Sequence, residues 1–291
     1  MTEKTLPGGT FKLGDGLILN RMGYGAMQLA GPGVFGPPLD HDGAIAVLHV
    51  VIAQGINHID TSDFYGPHFT NKLIHEALHP YPDNLTIVTK VGAKRDERGN
   101  WLSATSESEL RQAVEDNLEN LGLQKLDIVN FRIHDGEDAR TISDSSIDKP
   151  FRVMAKMQQE GLINHLGISN ASAAQIAEAQ AIAPIVCVQN MYNVAQRGDD
   201  KLIDLLAVQG IAYVPFFPLG GFSPLQSETL NKVSEQINLS PMAVALAWLL
   251  QRSPNILLIP GTSSVNHLKE NIESARIVLP SKVIDELNSV G

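Results

Sequence analysis

The sequence predicts a (β/α)8 barrel, in which parallel strands alternate with helices and close into a cylinder. Short apolar runs alternate with longer amphipathic stretches along nearly all of the 291 residues. Several helical stretches end in a glycine just before the next strand, as at Gly55, Gly161 and Gly210, where a left-handed residue commonly closes a helix. No Pro- or Ser-rich linker divides the chain, so residues 1–291 are expected to form a single barrel domain.

The elements follow in order from the N-terminus. Residues 10–19 place the sequence GDG between apolar residues, which predicts a β-hairpin that caps the bottom of the barrel. Apolar runs predict strands over 22–28, 56–60, 85–90, 126–134, 165–169, 185–190, 211–216 and 256–260. Amphipathic patterns predict helices that include 44–54, 107–121, 151–160, 202–209 and 242–251.

The composition excludes several classes of protein. Hydrophobic residues make up 43% and charged residues 19%, an ordinary globular balance. The formal net charge of -10 disfavours nucleic acid as a partner, because an acidic surface repels phosphate backbones. No apolar stretch approaches the ~20 residues of a membrane span, the N-terminus lacks the apolar segment of a secretory signal, and the single Cys187 cannot form an internal disulfide. We therefore expect a cytoplasmic enzyme with no membrane partner and no obligate protein partner.

The segment GPGVFG at 31–36 matches the dinucleotide-binding pattern GxGxxG. In a Rossmann fold the helix begins within the glycine motif. Here Pro37 and Pro38 follow the third glycine, and a residue before proline is disfavoured in a helix. A helix that begins near Asp40 is more natural, so we interpret 31–36 as a loop between a strand and a helix.

His75, Glu76 and His79 match HExxH, the helical pattern of zinc hydrolases. Pro80 follows at once, and no obvious third ligand lies just downstream. The pattern therefore favours the solvent-facing end of a barrel helix. We expect no metal site, and a zinc hydrolase stays a remote alternative.

In barrels of this kind the chemistry lies at the carboxyl ends of the strands. Asp60 ends one predicted strand, Lys90 ends the next, and Tyr65 lies five residues after Asp60. These side chains can converge, because adjacent parallel strands lie ~4.8 Å apart. A tyrosine hydroxyl ionises only near pH ~10, but a neighbouring ammonium group stabilises the phenolate. The set therefore indicates a tyrosine general acid, with Lys90 held in place and kept charged by Asp60.

The chain resembles the aldo-keto reductase family over nearly its whole length. The matching segments are HIDTSDFYG at 58–66, TK at 89–90, GISN at 167–170, VQN at 188–190, PLGG at 218–221 and IPGTSSVNHLKEN at 259–271. The resemblance implies carbonyl reduction with NADP(H) as cofactor and a small carbonyl compound as substrate. It also implies that Asp60, Tyr65 and Lys90 are catalytic, with Tyr65 as proton donor.

The resemblance further implies a site for an extended cofactor. Ser169, Asn170 and Gln189 would hold the carboxamide, and Phe216 would stack on the nicotinamide ring. The other expected cofactor contacts are Gly25, Met27, Asp60, Pro218, Leu219, Gly220, Gly261, Thr262, Ser263, His267, Glu270 and Asn271. Among them, Leu219 and Gly220 would lie along the pyrophosphate, and residues 262–271 would hold the adenosine end.

The sequence departs from the family pattern at two sites. The family usually has a histidine five residues after the aspartate of its fourth strand, and counting from Asp127 gives Arg132, with His134 two residues further on. Both lie on one strand face and both can donate hydrogen bonds, so either can orient the carbonyl, with Arg132 favoured by register. At the 2′-phosphate site, Gly261 and His267 stand where many relatives have Lys and Arg. This weakens the preference for NADPH, and NAD(H) is not excluded.

The chain looks similar to the bacterial branch of the family that includes pyridoxal reductases. An aromatic or heteroaromatic aldehyde such as pyridoxal is therefore the expected substrate. The long loops over 94–101 and 135–147 are expected to determine specificity. A nucleotide-binding regulatory subunit on the same barrel is the alternative function.

Overall fold

The computed structural model describes residues 6–14, 16–134, 142–218, 220 and 228–290. Its strands are β1 (Thr10–Leu13), β2 (Leu17–Asn20), β3 (Tyr24–Gly25), β4 (His58–Asp60), β5 (Thr86–Val91), β6 (Ala93–Arg95), β7 (Trp101–Ser103), β8 (Leu126–Arg132), β9 (Ile163–Ser169), β10 (Ile185–Gln189) and β11 (Ala212–Tyr213). Seven of these form one parallel sheet in the spatial order β3, β4, β5, β8, β9, β10, β11. The order along the chain is therefore the order in space, as in a barrel built from successive strand–helix units.

Residues 256–261 take the place of the eighth strand. Ile256 forms a parallel bridge with Tyr213 of β11, and Gly261 forms one with Gly25 of β3. Between these two bridges, Leu258 pairs with Met22. Both edges of the sheet are thus joined through one segment, and the predicted (β/α)8 barrel is confirmed.

The helices are α1 (His41–Ala53), α2 (Phe69–Leu78), α3 (Glu107–Leu121), α4 (Asp148–Gln159), α5 (Ala173–Ile182), α6 (Asp200–Gln209), α7 (Glu228–Gln236), α8 (Pro241–Arg252), α9 (Val265–Ser274) and α10 (Ser281–Asn288). The three glycines expected to close helices have φ values of 87° at Gly55, 86° at Gly161 and 71° at Gly210. These are left-handed conformations that glycine adopts without steric cost. In the described part of the chain, no helix is both long enough and apolar enough to span a membrane.

The hairpin of β1 and β2 caps the bottom of the barrel, as expected. Leu13 and Leu19 are fully buried and belong to the interior cluster that also contains Val88, Ile128 and Leu257. Leu13 pairs with Leu17 across the hairpin, and Phe11 pairs with Leu19. The hairpin thus excludes water from the end of the barrel opposite the strand carboxyl ends.

The GPGVFG segment and the HExxH pattern lie where the sequence predicts them, in a loop and at the outside of the barrel. Helix α1 begins at His41, and its N-cap residue Asp40 accepts a hydrogen bond of 2.9 Å from the Gly43 amide. No helix starts within the described GPGVFG segment beyond a short 3-10 turn at Pro32–Val34, so a Rossmann motif is absent there. On α2, Glu76 bonds to His41 at 3.1 Å on the exposed surface, which places the HExxH pattern on the outside of the barrel.

Some element boundaries differ from the prediction. Part of the loop expected over 94–101 is an antiparallel hairpin, in which β6 pairs with β7 and Arg95 lies opposite Trp101. Strands this short carry no readable periodicity. The strand expected over 22–28 is reduced to β3, because the chain turns into a 3-10 helix at Ala26–Leu29. Strand β11 is also short, although Phe216 still bridges to Met191.

Candidate active site

An open cleft of about 590 Å³ lies at the carboxyl ends of the strands. Its lining residues are Gly25, Met27, Gln28, Asp60, Tyr65, Gln189, Phe216, Phe217, Pro218, Ile259, Pro260 and Gly261. Most of them were expected at the site. Gln28 and Phe217 were not among the expected site residues, whereas Ile259 and Pro260 belong to the matching segment at 259–271.

Asp60, Lys90 and Tyr65 converge as the strand order predicts. The Lys90 ammonium donates to Asp60 Oδ1 and, at 3.0 Å, to the Thr61 carbonyl oxygen. The Lys90 Nζ atom lies 5.1 Å from the centre of the Tyr65 ring. Both charged residues are 3% exposed, so the ion pair is shielded from water. The tyrosine hydroxyl therefore belongs to a side chain packed beside a fixed, buried cation.

The electrostatics keep Lys90 in its charged form. Burial disfavours the ammonium and on its own would lower the Lys90 pKa. The Asp60 carboxylate and the Tyr65 hydroxyl outweigh burial, and together they raise the pKa of Lys90 above its ordinary value. Lys90 is accordingly a permanent cation near neutral pH, which is what stabilisation of a tyrosine phenolate requires.

Arg132 reaches into the same region from the end of β8. It lies in register with Ser169 of β9, and its Nη1 donates to Ser169 Oγ at 3.0 Å. Its guanidinium carbon is 5.1 Å from the centre of the Phe216 ring. Burial lowers the pKa of Arg132, and the nearby Tyr65 and Asp60 oppose this effect. An arginine stays protonated even so, because its ordinary value is above ~12.

His134 follows β8 and is 2% exposed. Neither of its ring nitrogens has a hydrogen-bond partner in the described structure. A buried imidazole without a partner is costly, since its nitrogens lose their hydrogen bonds to water. Of the two residues predicted as alternatives for orienting a carbonyl, His134 is buried and Arg132 is partly buried. Arg132 contacts Ser169 and Phe216, two of the expected cofactor contacts.

Ser169, Asn170 and Gln189 lie at adjacent strand ends. Gln189 Nε2 donates to Asp60 Oδ2 at 2.7 Å, which links this group to the ion pair of Asp60 and Lys90. Asn170 is left-handed with a φ of 59°, a conformation that asparagine tolerates better than most residues. Its backbone N–H donates to the Gln189 carbonyl oxygen at 3.0 Å, and its side-chain Nδ2 donates to the Ile133 carbonyl oxygen at 3.1 Å.

The expected adenosine end lies at the start of α9. Ser264 caps this helix and accepts a hydrogen bond from the His267 amide. Ser263, His267 and Glu270 are exposed, whereas Thr262 and Asn271 are buried. Gly220 is described, but Leu219 lies outside the described residues, as does 135–141 of the second expected specificity loop.

Gly261 has a close backbone neighbour that explains its lack of a side chain. A Cβ atom at this position would lie 2.8 Å from the Gly25 carbonyl oxygen. Gly25 is more tightly enclosed, since a Cβ atom on it would lie 2.4 Å from the Ile259 carbonyl oxygen. A basic residue at this position would therefore require the barrel backbone to shift.

A wall of aromatic side chains flanks Tyr65. The Phe64 ring packs edge-on against Tyr65 at 5.4 Å and against Trp101 at 5.2 Å, measured between ring centres. The Arg95 guanidinium carbon lies 4.1 Å from the centre of the Trp101 ring. Arg95 also donates to the Val34 carbonyl at 3.1 Å, so it ties the β6–β7 hairpin to the 31–36 loop. The Tyr65 ring is thus bordered by an apolar aromatic cluster whose rings pack edge to face.

Comparison with known proteins agrees with this geometry. The model of the aldo/keto reductase family matches residues 21–291. Pyridoxine 4-dehydrogenase of Escherichia coli (strain K12) is 60% identical over 281 residues, which cover 97% of this chain and 98% of that protein.

Two solved structures are similar in fold. A thermostable aldo-keto reductase in complex with the inhibitor epalrestat is 26% identical with a TM-score of 0.80, over 97% of this chain and 99% of that chain. An aldo-keto reductase from Klebsiella pneumoniae in complex with NADPH is 21% identical with a TM-score of 0.77, over 100% of this chain and 95% of that chain.

Proposed function

Because the chain belongs to the aldo/keto reductase family, we propose that it reduces an aromatic or heteroaromatic aldehyde with NADPH, and that Tyr65 donates the proton. The observation that carries this proposal is the convergence of Asp60, Tyr65 and Lys90 at the cleft. A buried, charged ammonium beside a tyrosine stabilises the phenolate that remains after proton donation.

The cleft residues fit a nicotinamide nucleotide. Phe216 presents an aromatic ring at the cleft, and the amide and hydroxyl groups of Ser169, Asn170 and Gln189 lie at neighbouring strand ends. Gly25 and Gly261 lack side chains where the backbones meet at the cleft. The Klebsiella pneumoniae protein that shares the fold binds NADPH, which supports the same cofactor here. When bound, this cofactor supplies the hydride.

The protein's own residues supply the proton and the orientation. Tyr65 donates a hydrogen bond to the carbonyl oxygen and transfers its proton as the oxygen gains negative charge. The Lys90 ammonium stabilises the tyrosine phenolate that remains, and Asp60 holds Lys90 in position. Arg132 donates to the carbonyl oxygen from the side of β8, in the role that the family usually gives to a histidine.

Pyridoxal is the substrate we favour. The relative with 60% identity is named pyridoxine 4-dehydrogenase, and the reverse of that reaction reduces the 4-aldehyde of pyridoxal to an alcohol. The aromatic rings of Tyr65, Phe216 and Phe217 line the cleft and suit an aromatic substrate. We further propose that NADPH is preferred over NADH by a smaller margin than in relatives with two basic residues, because Gly261 offers no charge to the 2′-phosphate and His267 is the basic group there.

The test is turnover of NADPH, with NADH in parallel, on pyridoxal, benzaldehyde and a short aliphatic aldehyde. The wild-type protein is expected to reduce the aromatic aldehydes with a higher kcat/KM than the aliphatic aldehyde.

Tyr65→Phe is expected to lower kcat by roughly 10²–10⁴-fold, the usual contribution of a positioned general acid, while the Kd for NADPH stays nearly unchanged. Retention of more than about a tenth of the wild-type kcat would exclude Tyr65 as the acid.

A further inference from the structure

The tyrosine at the centre of the proposed site lies on a short loop, residues 61–68, between β4 and α2. The loop is anchored at its start, where the Thr61 carbonyl accepts from Lys90 and the Thr61 hydroxyl donates to Asn71 Oδ1 at 2.8 Å. Within the loop, the Tyr65 amide donates to the Ser62 carbonyl at 3.0 Å. What fixes the end of this loop determines where the tyrosine hydroxyl lies.

Asp63 is the residue that fixes it. The residue is 6% exposed, and three side chains form hydrogen bonds with its carboxylate. Oδ1 accepts from Asn71 at 3.0 Å and from Asn120 at 2.9 Å, and Oδ2 is 2.5 Å from His68 Nδ1. The His68 amide also donates to the Asp63 carbonyl at 2.7 Å, which closes the loop on itself.

The donors come from different elements. His68 precedes α2, Asn71 lies on α2 and Asn120 lies on α3. Asn71 also donates to Asn117 Oδ1 at 2.9 Å, and this oxygen accepts from Thr89, the residue before Lys90. One buried network of hydrogen bonds therefore connects the tyrosine loop to the strand that carries the lysine.

The sequence carries a signal of this network. Along α3, positions 110, 114, 117 and 121 form one helical stripe, and three of them are the apolar Leu110, Val114 and Leu121. Asn117 interrupts the stripe, although it is fully buried. A buried amide on an apolar helix face is retained only when hydrogen bonds offset its desolvation.

The backbone at His68 is also unusual. Its φ is 69°, in the left-handed region that few non-glycine residues adopt, although asparagine, aspartate and histidine do so more often than the others. Such a conformation costs free energy and persists when surrounding contacts enforce it. The bonds between His68 and Asp63 are those contacts.

We propose that Asp63, held by His68, Asn71 and Asn120, is a positioning residue that fixes the loop so that the Tyr65 hydroxyl stays against Lys90 and the substrate carbonyl. This inference rests on the proposed function of Tyr65 as proton donor. It assigns Asp63 no contact with the substrate or the cofactor. Its effect is therefore confined to the rate of the chemical step.

The first experiment compares Asp63→Asn with Asp127→Asn in the full-length protein. Asp127 is a partly buried carboxylate at the opposite end of β8, where it accepts from the Ile87 amide at 2.9 Å. Asp63→Asn is expected to lower kcat by about 10- to 100-fold, the effect of misplacing a reacting group by ~1 Å. KM for the aldehyde and Kd for NADPH are expected to change less than twofold. The isotope effect with deuterated NADPH is expected to rise, because hydride transfer becomes slower relative to product release.

Asp127→Asn is the control for a purely structural effect. It is expected to lower the unfolding midpoint and leave kcat within twofold of wild type. Equal losses of kcat in the two variants would overturn the proposal, and so would a loss for Asp63→Asn that appears in KM or in cofactor affinity instead of kcat.

A second pair of variants serves if Asp63→Asn does not fold. His68→Asn and His68→Gly both tolerate a left-handed backbone. The side-chain nitrogen of Asn is bonded to Cγ, as is His68 Nδ1, so the first variant keeps a donor and the second removes it. His68→Asn is expected to keep more than half of the wild-type kcat, and His68→Gly to lose about tenfold. Equal kcat in the two would overturn the proposal.

The two hypotheses fail in different ways. If Tyr65→Phe remains active, the proposed function is wrong, whatever Asp63 does. If Tyr65→Phe is inactive but Asp63→Asn and His68→Gly stay within twofold of wild type, the proposed function holds and the positioning role is excluded.

Discussion

At the scale of single residues, the arginine at the end of β8 changes the character of the site. A histidine beside a carbonyl can be neutral or charged near neutral pH, whereas a guanidinium is always charged. Arg132 is held by Ser169 and lies over Phe216, so its charge is fixed beside the expected nicotinamide position. A fixed cation stabilises the negative charge that develops on the carbonyl oxygen during reduction.

We expect Arg132→Ala to lower kcat/KM for aldehydes by about 10²-fold or more, as for removal of one donor to a developing oxyanion. His134→Ala is expected to cost less than about tenfold, because His134 makes no hydrogen bond within the described structure. Steady-state kinetics of both variants with the same aldehyde are the measurement. A larger loss in His134→Ala would make His134 the donor that orients the substrate.

At the scale of elements, the ion pair of His68 and Asp63 lies just before α2, and its contribution to the free energy of unfolding depends on pH. The hydrogen bond with Asp63 raises the pKa of His68, burial opposes this, and the charges of Asp63 and Asp116 raise the pKa further while Lys72 lowers it. Because the pKa is higher in the folded than in the unfolded state, the stabilisation is complete below the ordinary value of ~6.5. It is lost as the pH rises through the raised value.

The prediction concerns the difference in free energy of unfolding between wild type and His68→Asn. This difference is expected to be largest near pH ~5.5 and to shrink towards pH ~8.5, as the histidine loses its proton in the folded state. Urea unfolding at intervals across this range is the measurement. A difference that stays constant or grows with pH would show that the imidazolium charge does not contribute.

The helices and strands differ in how well the sequence alone predicts them. Long periodic segments were predicted closely, and the bounds of α3 are those expected. The β6–β7 hairpin was missed because it is held by Arg95, whose partners at Gly33, Val34 and Gly99 are backbone carbonyls that leave no pattern in the sequence. The convergence of Asp60, Tyr65 and Lys90 could be predicted because adjacent strand ends must meet. The Asp63 network was not, because its members meet only after α2 and α3 pack.

At the scale of the whole molecule, the barrel is closed where two glycine-containing backbones meet. Gly25 and Gly261 form a parallel bridge, and a side chain on either would approach a carbonyl oxygen of the opposite backbone. The same two residues line the cleft. The absence of side chains at Gly25 and Gly261 therefore permits both the close packing of the closure and the open cleft.

Gly25→Ala is expected to destabilise the protein by about 1–3 kcal/mol, the usual cost of forcing extra atoms into a packed interior. Gly198→Ala is the matched control, since a Cβ there meets no atom within 4 Å and the change is expected to be close to neutral. Urea unfolding without cofactor measures both. Equal stabilities for the two variants would show that the closure accommodates a methyl group.

The closure of the barrel has a consequence for biosynthesis. Arg21 donates to the Ile256 carbonyl, 235 residues further along the chain, and the bridge between Gly25 and Gly261 lies beside this contact. A ribosome adds ~5–20 residues per second, so the first strand waits on the order of tens of seconds for the segment that completes its pairing. Throughout that interval the growing sheet has two open edges, which are the surfaces on which strands of separate chains associate. The cleft lined by Gly25 and Gly261 is consequently complete only after residue 261 has left the ribosome.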